Sequence, residues 1–200
     1  MQNLNLAPNR RALIIVAHPD DETIWMGGTI LQNLKTNWTI FSLCRCYDID
    51  RYPKFLKVMR KYRAKAIITN LEDEGIMTLK QSVSLIKKLI LKNLTAKKFD
   101  YLFIHNLNGE YGHERHIGVH LAVLELIREK KLMAKRKYFF CYKVNKSKKI
   151  FNDDRHASHY LNLTDPIWRQ KKDIIHEIYG YSKMSFECRS CLKKETYKKF

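Results

Sequence analysis

The chain has no apolar run long enough to cross a membrane. The run from Ala12 to Ala17 has six residues, whereas a membrane-spanning helix needs about 20. The stretch before it is polar, carries Arg10 and Arg11 and has no small-residue cleavage site, so it does not resemble a secretory signal. We therefore expect a protein without a transmembrane segment or a secretory leader.

The cysteines are too few and too scattered for a disulfide framework. The chain contains five, an odd number, at Cys44, Cys46, Cys141, Cys188 and Cys191. Free thiols are typical of a reducing compartment, which predicts a cytoplasmic protein. The last two form a CxxC pair, but no second cysteine or histidine pair is close to it in the sequence, so a structural zinc site is not expected there.

Acidic residues are scarce: 20 Asp and Glu stand against 38 Lys and Arg, which gives a net charge of +18. Such an excess fits either a polyanionic partner such as nucleic acid or a lysine surface that keeps the protein soluble. The lysines are spread along the chain, without an arginine-rich block or a nucleic-acid-binding motif. We therefore favour a solvated surface and expect no nucleic-acid partner.

Short apolar runs alternate with stretches of helical periodicity. The sequence predicts strands at 12–17, 38–44, 66–70, 101–104 and 138–144, and helices at 23–35, 53–65, 79–94, 116–130 and from 165 onward. Strands joined by helices pair in parallel through right-handed crossovers. The predicted fold class is α/β: a three-layer α/β/α sandwich with a mostly parallel, Rossmann-like sheet, in one domain covering residues 1–200. The polar segment 143–154 is expected to be a mobile loop, and the tail 188–200 to be frayed.

The first chemical motif, AHPDDE at residues 17–22, comes at the end of the first predicted strand. The carboxyl ends of strands are where open α/β sheets place their active sites. A catalytic divalent ion such as zinc needs about three imidazole or carboxylate ligands and an open position for water. His18, Asp21 and, from the second motif, His116 offer such a set. Asp20 remains available as a general base.

The second motif, GEYGHERH at residues 109–116, comes after the predicted strand that ends at Ile104. His113 and His116 are three residues apart and share a face in the first turn of a helix. One of them can bind metal while the other stabilises developing charge or protonates a leaving amine. Tyr111, between two glycines, can donate a hydrogen bond to an oxyanion.

Each motif also has a simpler interpretation. The pair Asp20 and Asp21 could cap the helix that follows, and an isolated HxxH pattern usually places two histidines on a helix surface. A further HxxH, at His156 and His159, is assigned to a surface loop. Because both motifs begin where a buried strand ends, we expect them at one edge of the sheet, and this combination favours a metal-dependent hydrolase.

Three features of the sequence resemble the PIG-L/LmbE-like zinc-dependent de-N-acetylases: AHPDDE, the Gly27–Gly28 pair that follows it, and GEYGH with a histidine three residues on. The resemblance covers residues 11–186. This family removes acetyl groups from substrates that contain N-acetylglucosamine. The resemblance implies metal ligation by His18, Asp21 and His116, a general base at Asp20, an electrostatic or acid partner at His113 and an oxyanion donor at Tyr111.

Two further points of the resemblance concern single residues. The family holds the sugar with an arginine and an acidic residue from the middle of the chain, and Arg51 and Asp73 are the nearest matches by position. The family often has aspartate or asparagine directly before the second histidine, where this chain has Arg115. A change at that position is expected to alter the surroundings of His113.

The leading hypothesis is therefore a zinc-dependent hydrolase that removes the N-acetyl group from an N-acetylglucosamine-containing small molecule or glycoconjugate. The positive charge makes an anionic substrate plausible. Two alternatives remain open: an amidohydrolase that acts on a non-sugar amide, and a basic binding protein without catalytic activity on the same fold. A set of two histidines and one carboxylate also accepts Fe²⁺.

Overall fold

The chain folds into one eight-stranded sheet, a two-stranded hairpin and seven helices. The computed structural model describes residues 1–200. In chain order the strands are β1 (Gln2–Asn3), β2 (Arg11–Val16), β3 (Asn37–Cys44), β4 (Lys65–Leu71), β5 (Lys98–Ile104), β6 (Met133–Phe140), β7 (Tyr142–Val144), β8 (Ile150–Asn152), β9 (His159–Asn162) and β10 (Lys194–Lys199). The helices are α1 (Asp21–Gln32), α2 (Arg51–Tyr62), α3 (Leu79–Asn93), α4 (Gly109–Gly112), α5 (Glu114–Arg128), α6 (Asp165–Asp173) and α7 (Phe186–Ser190), and a π-helical turn, Ile174–Ile178, follows α6.

The strand order places a crevice at the centre of the large sheet. The order is β1-β9-β10-β6-β5-β2-β3-β4, and the five neighbours from β6 to β4 pair in parallel. The chain leaves β2 toward β3 on one side and later returns to β5 on the other, so β2 and β5 flank the point where the direction of winding changes. Ligands of open α/β sheets bind at this point, outside the carboxyl ends of the strands.

Alternate side chains of β2 enter two separate hydrophobic cores. Ala12, Ile14 and Val16 pack with residues of α1 and α2 on one face of the sheet. Leu13 and Ile15 pack with residues of α3 and α5 on the other face. Because both faces are covered, the strand has no polar side, which explains its continuous apolar sequence. The predicted three-layer α/β/α sandwich is confirmed.

The C-terminal tail is ordered, so the prediction that it is frayed is wrong. Lys194–Lys199 forms β10, which pairs antiparallel with both β6 and β9. The sequence of this strand does not indicate that it is buried, because a charged residue, Glu195, occupies a fully buried position beside Tyr197. The segment 143–154, expected to be a loop, contains most of the β7–β8 hairpin, and His159 belongs to β9 rather than to a surface loop.

Glu195 joins the last strand to the middle of α1. Met26 has φ −149° and ψ 19°, which interrupts the helix. Beyond this kink the backbone N–H groups of Gly28 and Thr29 donate to the Glu195 carboxylate at 2.9 and 2.8 Å. Lys171 of α6 donates to the same carboxylate at 2.7 Å, and both charged side chains are fully buried. This network fixes the helix that begins at the first motif.

None of the helices combines the length and the apolar composition that crossing a membrane requires.

Candidate active site

Two histidines occupy the carboxyl ends of the adjacent central strands. His18 comes two residues after the end of β2, and His105 comes directly after β5. The backbone N–H of Ala17 donates to His105 Nε2 at 3.1 Å, so the two strand ends are joined by a side chain as well as by the sheet. The first turn of α1 and the first turn of α5 bring the remaining motif residues to the same edge.

His18, Asp21 and His116 converge on one point. Asp21 Oδ2 lies 3.2 Å from His18 Nδ1 and 3.3 Å from His116 Nε2. Burial alone would raise the pKa of Asp21, but the positive charges and hydrogen bonds of His116 and His105 lower it well below its usual value. The three side chains offer ligand atoms within 4.8 Å of one another. Imidazole and carboxylate are ligand types that a divalent ion such as Zn²⁺ binds, and three protein ligands are the number found in a catalytic zinc site.

The Nε2 atoms of His18 and His116 are buried and have no hydrogen-bond partner. His18 Nε2 does lie 3.1 Å from Asp73 Oδ1, but without hydrogen-bond geometry. Buried polar atoms are normally satisfied, so two orphaned imidazole nitrogens in one site are places where a ligand can bind. This donor set fits a divalent metal ion.

Glu110, in the second motif, accepts hydrogen bonds from two of the histidines. His105 Nδ1 and His116 Nδ1 each lie 2.7 Å from Glu110 Oε2. Burial would raise the pKa of Glu110, but the charge and hydrogen bond of His105 and the contacts of His116 lower it to about 2. A carboxylate accepts hydrogen bonds, so His116 carries its proton on Nδ1 and leaves Nε2 free as a ligand atom.

Glu110 therefore argues against an alternative metal position. His105, Glu110 and His116 also form a group with metal-ligand spacing, but the Nδ1 atoms of both histidines already donate to the carboxylate. A third such group, His18, Asp73 and His113, leaves out the buried His116 Nε2. Of the three groups, the one with Asp21 is the only one that contains both histidines with an orphaned nitrogen.

Asp20 makes different contacts from the adjacent Asp21. Its backbone has φ 114°, a conformation that few residues other than glycine adopt. The Asp20 Oδ2 atom accepts hydrogen bonds from Arg51 Nη1, at 3.0 Å, and from the Tyr181 hydroxyl. Burial and the charge of Asp21 raise the pKa of Asp20 to about 7, against the opposing effects of Tyr181 and Arg51.

His113 lies at the start of α5 with its ring against His18, at a centroid distance of 4.7 Å. Its Nδ1 accepts a hydrogen bond from the backbone N–H of Arg115 at 3.2 Å. Burial, with the charges of His116 and His18, lowers the pKa of His113 to about 4. A neutral imidazole that accepts at Nδ1 carries its proton on Nε2 and donates from there. Tyr111 stands beside it, with ring centroids 5.7 Å apart.

The side chain of Arg115 extends away from the site. It is buried and donates to the carbonyl oxygens of Glu72 and Met77 and to the Glu72 carboxylate. Only the backbone of Arg115 touches His113, so the chain's departure from the family pattern gives this histidine no charged partner. Instead Arg115 holds the loop after β4, which carries Asp73.

A cavity of about 340 Å³ opens at this edge of the sheet. Seven of the eight predicted site residues line it: His18, Asp20, Asp21, Arg51, Asp73, Tyr111 and His113. The eighth, His116, is fully buried behind them. Arg51 also stacks on the ring of Tyr181 at 4.5 Å, and Asp73 pairs with Arg45 at 3.0 Å.

Three residues of the site were not assigned from the sequence. His105 could have been found, because it follows a buried strand as His18 does. Glu110 is part of the quoted motif, but its function depends on two histidines that meet only in the fold. Tyr181 comes from the segment after the π-helical turn, where no motif marks it.

The known proteins similar to this chain establish its fold. No protein-family model matches it. An uncharacterized protein, L374, of Acanthamoeba polyphaga mimivirus is 26% identical over 120 residues, and the match spans 52% of each chain, about half the length of that relative. Among solved structures, GalB, the 4-carboxy-2-hydroxymuconate hydratase of Pseudomonas putida, has a TM-score of 0.67 at 12% identity and covers 95% of both chains. The N,N'-diacetylchitobiose deacetylase of Pyrococcus horikoshii has a TM-score of 0.65 at 15% identity, over 96% of this chain and 84% of its own.

These similarities show that the chain has a PIG-L/LmbE-like fold, which the motifs predicted. The same fold supports both a hydratase and a deacetylase, so the reaction has to be argued from the residues of the site.

Proposed function

We propose that residues 1–200 form one metal-dependent deacetylase domain, which hydrolyses the N-acetyl group of a substrate that contains N-acetylglucosamine. The observation that carries this proposal is the division between the adjacent aspartates. Asp21 contacts the two histidines with orphaned nitrogens, whereas Asp20 contacts Arg51 and Tyr181. Amide hydrolysis at a metal needs side chains that hold the ion and a separate group that accepts the proton of water, and the two aspartates are divided in this way.

The metal would be held by His18, Asp21 and His116, with Zn²⁺ as the proposed ion and Fe²⁺ as the alternative. When bound, a divalent ion polarises the carbonyl oxygen of an amide and lowers the pKa of water. The chain's own contribution is to keep His116 in the tautomer that exposes Nε2, through Glu110. Trp25 holds the Asp21 carboxylate in position, because Trp25 Nε1 donates to Asp21 Oδ1 at 2.9 Å.

Asp20 is the proposed general base. Its Oδ1 atom is not engaged by Arg51 or Tyr181, which both contact Oδ2, and the residue lines the cavity. Asp20 takes a proton from the attacking water, and the protonated carboxyl then gives this proton to the departing amine nitrogen. A pKa near 7 suits a group that must both accept and release a proton at neutral pH.

His113 and Tyr111 are the proposed donors to the oxyanion. The neutral His113 presents an Nε2–H group, and the half-buried Tyr111 has a pKa raised far above its usual value by burial and by the charges of Asp21 and Asp20. Both side chains therefore keep their protons and can donate them in hydrogen bonds to the developing negative charge. This favours the electrostatic role of His113 over the acid role.

Arg51 and Asp73 are the proposed contacts to the sugar. They lie beside different members of the site, since Arg51 contacts Asp20 and Asp73 contacts His18. A guanidinium and a carboxylate can bind ring hydroxyl groups as donor and acceptor. Neither residue defines the rest of the substrate, and an amide outside a sugar is the competing substrate class.

Amine release from acetylated amino sugars tests the proposal. We expect the zinc-loaded protein to release amine from N-acetylglucosamine or N,N'-diacetylchitobiose, to lose this activity after chelation and to regain it when zinc is restored. The measurement is a fluorescent amine assay. Unchanged amine release by the metal-free protein would contradict the metal mechanism, and hydrolysis of simple acetamides alone would favour the non-sugar alternative.

Replacing Glu110 by glutamine should weaken zinc binding by about 10- to 100-fold, the usual effect of losing the partner behind a metal-binding histidine. The amide is uncharged and has one acceptor oxygen, so it cannot serve both the two Nδ1–H groups, which Oε2 accepts, and the Asn106 N–H, which Oε1 accepts. Competition with a chromophoric chelator measures the affinity.

Glu114→Gln is the matched control, because Glu114 is exposed and lies four residues further along. It should bind zinc like the unmodified protein. Equal zinc affinity in the two variants would contradict the role assigned to Glu110.

A further inference from the structure

A second cleft, of about 500 Å³, adjoins the catalytic cavity. Phe186 lines both. The ring of Phe186 lies 5.0 Å from the ring of Tyr111, whose own ring lies 5.3 Å from His116. One aromatic side chain therefore separates the second cleft from the catalytic residues, and a substrate longer than the reacting sugar would extend into it.

The walls of this cleft carry charge of one sign. The turn between β7 and β8 contributes Lys148 and Lys149, and α7 contributes Arg189. The lining contains no acidic residue. All three cations are exposed, and none of them forms an ion pair within the protein. The cleft therefore presents three positive charges that no carboxylate neutralises, and these charges can attract an anion.

Neighbouring lysines differ from this set, because carboxylates neutralise them. Lys143 pairs with Asp153 at 3.4 Å, and Lys194 pairs with Asp154 at 2.7 Å. Asp153 and Asp154 are thus engaged outside the cleft. The general excess of lysine in the chain does not account for a concave surface that lacks acidic residues.

The turn that carries the two lysines has a defined conformation. Asn145 Oδ1 accepts hydrogen bonds from the backbone N–H of Lys149 at 2.8 Å and from the Ser147 hydroxyl at 2.9 Å. Lys148 adopts φ 56°, in the left-handed region, and its N–H donates to the Asn145 carbonyl at 3.0 Å. These bonds fix the backbone from which both lysines extend.

We propose that this cleft, named here the anion cleft, binds a phosphate group carried by the amino-sugar substrate. The proposal rests on the deacetylase function proposed above and specifies its substrate class. The catalytic cavity itself is a poor place for phosphate. Both arginines of its lining already pair with carboxylates, Arg45 with Asp73 and Arg51 with Asp20, and Asp48 and Glu187 add further negative charge. The anion cleft offers cations without such repulsion, and it lies where the non-reacting end of the substrate would extend.

Calorimetric titration of the zinc-loaded protein tests this assignment without any turnover. The probes are glucosamine 1-phosphate and glucosamine, neither of which has an acetyl group to remove. We expect the phosphate to tighten binding by about tenfold, since three exposed cation contacts each add a small increment. The triple variant K148Q/K149Q/R189Q should lose this gain and bind both probes alike.

The control variant K80Q/K88Q/K92Q removes the same charge from exposed positions of α3, on the opposite face of the sheet. It should keep the tenfold preference. Equal losses in the two triple variants, no preference for the phosphate in the unmodified protein, or equally tight binding of inorganic phosphate would each overturn the proposal. Binding of glucosamine 1-phosphate in the anion cleft by a protein that fails the deacetylation assay would refute the proposed function alone.

Discussion

Replacing Asp20 by asparagine is expected to lower the turnover of deacetylation by about 10²- to 10⁴-fold, the range typical of a lost general base. Asparagine has nearly the same shape and tolerates the positive φ of this position better than alanine does. It cannot accept the proton of the attacking water. Because Asp20 contacts Arg51 and Tyr181 rather than the histidines, zinc binding should be retained.

Asp21→Asn is the matched comparison for Asp20→Asn. The two substitutions are chemically identical and one residue apart, but Asp21 lies beside His18 and His116, so its variant should lose zinc as well as activity. Steady-state kinetics and metal analysis of both purified variants provide the measurement. Loss of zinc from the Asp20 variant would reassign this residue as a ligand.

The second large effect is expected at the buried ion pair between Glu195 and Lys171. Glu195→Leu should lower the free energy of unfolding by about 3–5 kcal/mol, because it leaves a buried ammonium group without its counter-charge. It also removes the acceptor of the Gly28 and Thr29 N–H groups. Lys171→Met should cost less, since Glu195 keeps these donors and the Thr29 hydroxyl.

Denaturant unfolding measures both variants. Lys193→Met is the matched control, because Lys193 pairs with Asp165 in an exposed position, where an ion pair contributes about 1 kcal/mol or less. A larger loss of stability for Lys171→Met than for Glu195→Leu would contradict the assignment of Glu195 as the centre of the network.

The central strands could be predicted because their chemistry is uniform. β2 and β5 are buried on both faces, so their apolar runs are continuous, and the motifs that follow them were recognised as candidates for a site. β10 escaped prediction because its core position at Glu195 is charged. The neutralising partners, Lys171 and the N–H groups of α1, are brought to it only by the fold.

The candidate site shows the same division. Residue types and spacing were sufficient to propose His18, Asp21 and His116 as a ligand set, and the fold brings these three side chains together. They could not select Glu110, since a glutamate in a turn acquires its role only when His105 and His116 both reach it. Tyr181 likewise meets Asp20 across a sequence separation of 161 residues.

The sequence by itself determined which side chains meet at the site: adjacent aspartates and paired histidines at the ends of buried strands. The tertiary structure decided how adjacent, identical side chains differ. A positive φ turns Asp20 toward Arg51 and Tyr181, while Asp21 faces the imidazoles. The physical reason is that hydrogen bonding, burial and charge depend on neighbours in space, and these neighbours come from distant parts of the chain.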